Sequence, residues 1–424
     1  MKTKFNSCFF SFIIFSMVFL SSAASMAETA ETGLATGLPE MASLPGIKGE
    51  TAEAMLAPYV DFLKKISSDP VEYMLSLFDK YQVVVFTEFL HPELTQYEFL
   101  MKLISHPDFA KKVRGIFTEV GSITQQPLMD EFLAKKTCDK FLLIRINREN
   151  TFHPQGWPNP NILNFWSALW DVNSKLPEDS KIGAWLSDMP WSWDNIKTER
   201  DYYLQEIVSS ARDKIMASSI CAQISKCQSS GSNKKDRFLV ILNTRHGLGL
   251  VKSKATGSYG ENTAAFLKLS LPGKVADILW NSPRAYVEAQ NDQMSLFHLI
   301  GNGIWEAAFA SNGNKPAGFS LKDTPFGKTA FDYHSSFTAE NYEQAFDGLV
   351  FQTPISNFRS CGFTNGFYDD AAYVEETKRR CKVAGREWLD PALLSQDGNE
   401  KPFCYNDDAL KFINEQVRQW SAKK

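Results

Sequence analysis

Short apolar runs alternate with stretches of helical periodicity along most of the chain. Gln82-Val83-Val84-Val85-Phe86 is brief, apolar and β-branched, which predicts a buried strand. Residues 93–105 then place Leu94, Tyr97, Leu100, Met101 and Ile104 at helical spacing. A second strand, Gly115-Ile116-Phe117-Thr118-Glu119-Val120, follows and is broken by Gly121. A strand, a helix and a strand of this length make a βαβ unit with parallel strands. Further strands are expected at 141–146, 181–188, 237–242, 275–280 and 348–351. Helices are expected at 51–66, 70–80, 128–134, 162–169, 198–220, 259–269, 295–309 and 407–420, the last with Leu410, Ile413, Val417 and Trp420 facing inward. This alternation predicts an α/β fold, with a mainly parallel central sheet and helices on both faces.

Parallel strands end on one side of their sheet, the edge where open α/β sheets bind ligands. Glu88, Glu119, Asp188 and His246 each follow a predicted strand, and His91 lies three residues beyond Glu88. Any one such acid reads equally well as a helix cap or a loop salt bridge. Five polar residues at one topological location point instead to a site. Carboxylates beside an imidazole raise its basicity and fix its tautomer, as a general base requires. Two carboxylates and two histidines are also a ligand set for a divalent ion. The Glu-x-x-His spacing follows a strand, so it is not the helical His-Glu-x-x-His of zinc proteases.

The chain ends change the picture at both termini. Lys2 and Lys4 precede an apolar run from Phe9 to Leu20, and small residues lead to Ala27. This predicts a signal peptide over 1–27 and an exported protein, secreted or periplasmic. The run is short of the roughly 20 apolar residues of a membrane span. Residues 28–50 are rich in Gly, Ala, Thr and Pro without periodicity, which predicts a flexible leader. With 1–27 removed, the 45 basic and 49 acidic residues become 43 and 49, a net charge of −6 that gives no support for nucleic-acid binding. Cys138, Cys221, Cys227, Cys361, Cys381 and Cys404 follow the signal peptide; an even count in an exported chain predicts disulfides, and three of them would staple a C-terminal extension over 356–424. Residues 51–355 form the α/β domain on this reading.

Six of the ten tryptophans lie between Trp157 and Trp193. Trp166 falls at helical spacing with Phe165 and Leu169 and reads as core. Trp157, Trp191 and Trp193 lie in predicted loops at the acidic rim, where aromatic walls suit a small-molecule substrate.

The runs VVVFTEFLHPELTQYEFLMKLI, GIFTEVGS and RFLVILNTRHGLG, taken in order, resemble the erythromycin esterase/ChaN/Tiki superfamily. The family pattern is a strand into Gly-Glu-x-x-His, a second strand ending in Glu and a later strand ending near His. Glu88 and His91 match the first motif, Glu119 the second and His246 the third. Arg200-Asp201-Tyr202-Tyr203-Leu204 resembles the Arg-Asp-x-x-Met helix start of the esterase branch, and 345–351 the closing strand. The resemblance covers roughly 80–355. Thr87 stands where many members have Gly, and Pro92 replaces the Gly that usually follows the histidine.

The resemblance implies hydrolysis of an ester, lactone or amide by His-activated water. His91 would be the base, oriented by Glu88 or Glu119, with His246, Arg245 and, more weakly, Arg200 near the developing oxyanion. The Tiki branch implies instead a metal-dependent peptidase, with Glu88, His91, Glu119 and His246 as ligands. The ChaN branch implies haem or ligand binding, for which Tyr202, Tyr203, His106, His153 and His334 supply donors. No cofactor is firmly predicted; a divalent metal and haem both stay open.

Overall fold

A computed structural model describes residues 49–66, 68–229, 236–285, 297–388, 401–402 and 407–420. The predicted signal peptide, most of the leader and Cys404 lie outside the described residues. Eleven strands occur among the described residues. Seven form the central sheet: β1 (Val83–Glu88), β2 (Gly115–Ser122), β3 (Gly183–Asp188), β4 (Phe238–Asn243), β6 (Val275–Trp280), β7 (Ala317–Ser320) and β9 (Gly348–Phe351). β5 (Lys252–Ser253) pairs with β8 (Phe337–Thr338), and β10 (Arg359–Ser360) with β11 (Lys401–Pro402).

The order in the sheet is β3-β2-β4-β1-β6-β9-β7, parallel throughout except for β7 against β9. The fold is therefore the expected α/β class with a mainly parallel sheet. β1 is central and wholly buried. Val84 and Phe86 project into a core shared with helices Pro70–Lys80, Leu94–Ser105 and Pro160–Ser174. Val83 and Val85 project to the opposite face, against helices Arg212–Ser229 and Thr263–Ser270. Burial on both faces is why the strand reads as a continuous apolar run rather than an alternating one. A third apolar cluster joins helix Gly49–Lys65 and helix Ile304–Ser311 to β7 and β9.

Three expectations are corrected. Residues 141–146 are not a strand but part of helix Lys140–Arg148. Asp139 caps that helix by accepting from the Phe141 amide, and its buried side chains include Leu142, Leu143, Ile146 and Asn147, which is helical spacing. The predicted helix 198–220 is two helices, Glu199–Ser209 and Arg212–Ser229, separated at Ser210 and Ala211. Gly121 does not end β2: at φ +124° it accompanies a shift in register between Thr118 and Ser122, and the strand runs on.

No two described cysteines are joined in a disulfide; Cys138, Cys221, Cys227, Cys361 and Cys381 stand apart from one another. Among the described residues the segment beyond 356 is anchored by burial and hydrogen bonds. Phe358, Phe367 and Tyr373 enter the first core, and Arg148 donates to the Phe367 carbonyl at 3.0 Å. In helix Asp407–Arg418 and the turn after it, Ala409, Ile413 and Trp420 are buried, while Leu410 faces solvent against expectation. Among the described residues no helix is long and apolar enough to cross a membrane.

Candidate active site

The rim at the carboxyl ends of β1, β2, β3 and β4 gathers Glu88, His91, Glu119, Asp188 and His246. β1 delivers Glu88, fully buried, and the chain then turns through Phe89–Glu93. That turn is stapled from three sides. Gln96 accepts from the Phe89 amide at 2.7 Å and donates to the Leu90 carbonyl at 2.6 Å. Asn161 donates to the His91 carbonyl at 2.5 Å. The Cys361 amide donates to the Pro92 carbonyl at 2.8 Å, so a proline without an N–H still has its acceptor used.

His91 is thereby held between two acids. Its Nδ1 lies against Glu88 Oε1 as a close ion pair, not aligned as a hydrogen bond, and its Nε2 is 3.3 Å from Glu119 Oε1. Burial alone would lower the proton affinity of this ring. The two carboxylates, Glu88 foremost, more than reverse that and hold its pKa up to about 9. Glu119 is pulled below the ordinary carboxylate range: burial raises it, and His246, His91 and Arg212 outweigh the burial. The Tyr97 hydroxyl also interacts with Glu88, and burial followed by that carboxylate pushes its pKa well up.

His246 sits on the turn Thr244–Gly247 after β4, and its Nε2 is 3.8 Å from Glu119 Oε2. Its Nδ1 is 2.6 Å from Asp213 Oδ1, and its Nε2 is 3.0 Å from Arg212 Nη1. A guanidinium can only donate, so Nε2 is the acceptor and Nδ1–H donates to Asp213. Asp213 also accepts from the Thr263 amide and hydroxyl, both at 2.8 Å. Burial would raise this carboxyl; His246 and Arg245 hold it far below its ordinary value instead. Arg212 grips the buried Asp188 with Nε–Oδ1 at 2.7 Å and Nη2–Oδ2 at 3.0 Å, a bidentate pair.

The predicted residues thus fall into two groups. Glu88, His91, Glu119, Asp188 and His246 meet. Arg245 touches the cluster from outside, 3.4 Å from Asp213 Oδ2. Arg200 is exposed in the first turn of helix Glu199–Ser209 and makes none of these contacts. Arg212 and Asp213 were missed. Arg212-Asp213-Lys214-Ile215-Met216 carries the Arg-Asp-x-x-Met pattern with Met in place, where Arg200–Leu204 ends in Leu. The signal was present, hidden inside what reads as one continuous helix.

Of the loop tryptophans, Trp157 reaches the site, its ring 4.1 Å from that of His91. Trp191 and Trp193 are buried with Tyr202 in a cluster of their own. Of the candidate haem donors, His106 Nδ1 caps helix Pro107–Lys112 by accepting from the Asp108 amide, and His334 Nδ1 accepts from the Ser336 amide.

Thr87 lies beneath the His246 turn and donates to the Gly247 carbonyl at 3.0 Å. A Cβ on Gly247 would stand 2.3 Å from Thr87 Oγ1. Gly247→Ala is expected to cost about 1–3 kcal/mol through overpacking and to displace His246. Adding Thr87→Gly should restore most of the melting temperature; a Gly247→Ala melt equal to wild type would contradict the tight fit.

No family model and no curated protein matches the sequence. Solved structures give distant likenesses. An erythromycin esterase, a mutant of EreC in its open conformation, aligns at 10% identity and TM-score 0.44, covering 70% of this chain and 95% of that one. A Bacillus cereus protein aligns at 10% identity and TM-score 0.42, over 70% of this chain and 96% of its own. The type III effector HopBA1 aligns at 13% identity and TM-score 0.33, over 53% and 88% respectively.

Proposed function

We propose that this chain is an exported hydrolase that drives water onto an ester, lactone or amide carbonyl at the β1–β4 rim. The observation that supports it is His91, pinned between Glu88 and Glu119 and facing an Asp213–His246 pair with Arg212 on its outer nitrogen. His91 exchanges the proton of the attacking water. Glu88 orients the ring, and the weaker 3.3 Å contact to Glu119 is the one a water displaces. The developing oxyanion is met by the Arg212 guanidinium, and His246, whose tautomer Asp213 fixes, holds that guanidinium through Nε2. Arg212 takes the role that sequence reasoning gave to Arg245 and Arg200.

This reading carries a pH dependence. A base whose pKa is held near 9 is mostly protonated at neutral pH, so kcat/KM should rise with pH through about 9 and level off above it. The stability contribution has the opposite sign. The folded-state pKa lies above the ordinary 6.5, so stabilisation by protonated His91 is complete below about 6.5 and is lost as pH climbs through 9. Initial rates and thermal melts between pH 6 and 10 check both. A rate independent of pH across that range would remove His91 as the base.

A metal-centred reading has its own observation. Glu88, His91 and Glu119 each offer a ligand atom, all within 4.8 Å of one another. Both Glu88 oxygens and Glu119 Oε2 are buried acceptors without an aligned hydrogen bond, a surplus of negative charge beside His91 that suits a cation. A divalent ion held there would lower the pKa of a bound water. Metal analysis, with rates before and after a chelator, separates the two. Unchanged activity supports the base, and loss restored by added ion supports the metal.

A further inference from the structure

We propose that the substrate carries an anionic group, a carboxylate or a phosphate, and that Arg386 of the C-terminal segment binds it. The proposal rests on the hydrolase reading of the rim for the word substrate, but the anion site stands on its own contacts. Arg386 follows helix Ala371–Val383, after a turn at Gly385 with φ +61°. Its amide donates to the Cys381 carbonyl at 2.9 Å, which fixes where the side chain starts. Its Nη2 donates to the Tyr202 hydroxyl at 3.3 Å, and its Nη1 is buried with no acceptor.

Other arginines around this rim have a carboxylate. Arg212 has Asp188, Arg245 has Asp213, Arg379 has Glu376 and Arg380 has Glu149. Arg386 has no ion pair among the described residues. A guanidinium cannot shed its charge, so a buried N–H without an acceptor is costly unless a ligand supplies one.

The place of Arg386 connects it to the reacting centre. His153 lies within electrostatic reach of Arg386, His91 and Arg212 together. The His153 ring contacts Trp157 at 4.7 Å, and Trp157 contacts His91 at 4.1 Å. His153, Trp157 and His91 therefore form a row of ring contacts, with Arg386 close enough to act on His153 electrostatically. Trp157 Nε1 and Trp191 Nε1 are further buried donors without acceptors. Glu88 and Glu119 have spare acceptors, Trp191 and Arg386 beside Tyr202 have spare donors, and Trp157 lies between His153 and His91. An oxyanion on the substrate matches the donors, and the attacking water, which can donate, matches the acceptors.

The test uses the full chain, wild type and Arg386→Gln, which keeps a donor for Tyr202 but removes the charge. Calorimetric titration with glutarate and with inorganic phosphate reads binding without turnover. Hydrolysis of the monoanionic 4-nitrophenyl ester of glutaric acid, against neutral 4-nitrophenyl pentanoate, reads the substrate effect. Arg386→Gln should weaken the favoured anion by about tenfold or more, the worth of one charge-assisted hydrogen bond. It should raise KM for the anionic ester alone and leave kcat within about twofold. Glutarate binding without phosphate assigns a carboxylate, and the reverse a phosphate. Binding that depends on Arg386 without any ester hydrolysis would keep the anion site and sink the hydrolase reading. Failure of both anions to bind, or equal binding to both proteins with unchanged circular dichroism, overturns the proposal.

Discussion

His91→Ala is expected to lower turnover of a responsive ester by about 10²- to 10⁴-fold, the span that a positioned proton-transfer group contributes. From the sequence alone this substitution should abolish turnover and leave the thermal melt nearly unchanged. The structure alters that expectation. His91 is the positive charge between Glu88 and Glu119, whose side chains are 0% and 2% exposed. Deleting it leaves two buried acids facing one another, and breaking a buried pair costs about 3–5 kcal/mol. The melt at pH 7 should therefore fall with the activity. Lowering the pH should recover part of it, because a proton on one acid replaces the lost cation. His91→Ala combined with Glu88→Gln should regain stability at pH 7 and no activity. Rates within about threefold of wild type in the single variant would exclude His91 from proton transfer, and an unchanged melt would show that the two acids do not depend on it.

How much of this was legible follows from how each element is buried. β1, β2, β6 and β9 read correctly because strands covered on both faces are apolar without alternation, and few other elements look like that. Phe141–Ile146 mimics the pattern, yet Asp139 offers a cap and Phe141 is left 76% exposed, which a central strand would not tolerate. β7, Ala317–Ser320, was missed because a four-residue edge strand containing a glycine carries almost no β signal. The convergence of Glu88, Glu119, Asp188 and His246 was legible for a topological reason: parallel strands deliver their last residues to one edge. Arg212 and Asp213 were not. They depend on a helix break at Ser210 and Ala211, residues that neither forbid a helix nor demand its end. The C-terminal segment is expected to be held by disulfides; no disulfide joins its described cysteines, and aromatic burial and arginine–carbonyl bonds hold its described part. An even count of cysteines cannot separate thiols from pairs when the partners' distances are unknown.

Arg212 is where the missed chemistry and the largest structural penalty coincide. Its two carboxylate bonds go to Asp188, whose side chain is 0% exposed, while Nη1 reaches His246 and the guanidinium lies 5.5 Å over the Phe152 ring. Arg212→Leu keeps the apolar stem but strands Asp188, and a stability loss of about 3–5 kcal/mol should follow. If the guanidinium also stabilises the oxyanion, activity should fall by about 10²- to 10³-fold. Arg212→Lys separates these roles. One ammonium can neutralise Asp188, so the melt should recover by more than half. It cannot hold both carboxylate oxygens and the His246 ring in one plane, so kcat should stay low while KM changes little. A lysine variant that regains full kcat would reduce Arg212 to a counter-charge for Asp188 and remove it as the partner of the oxyanion.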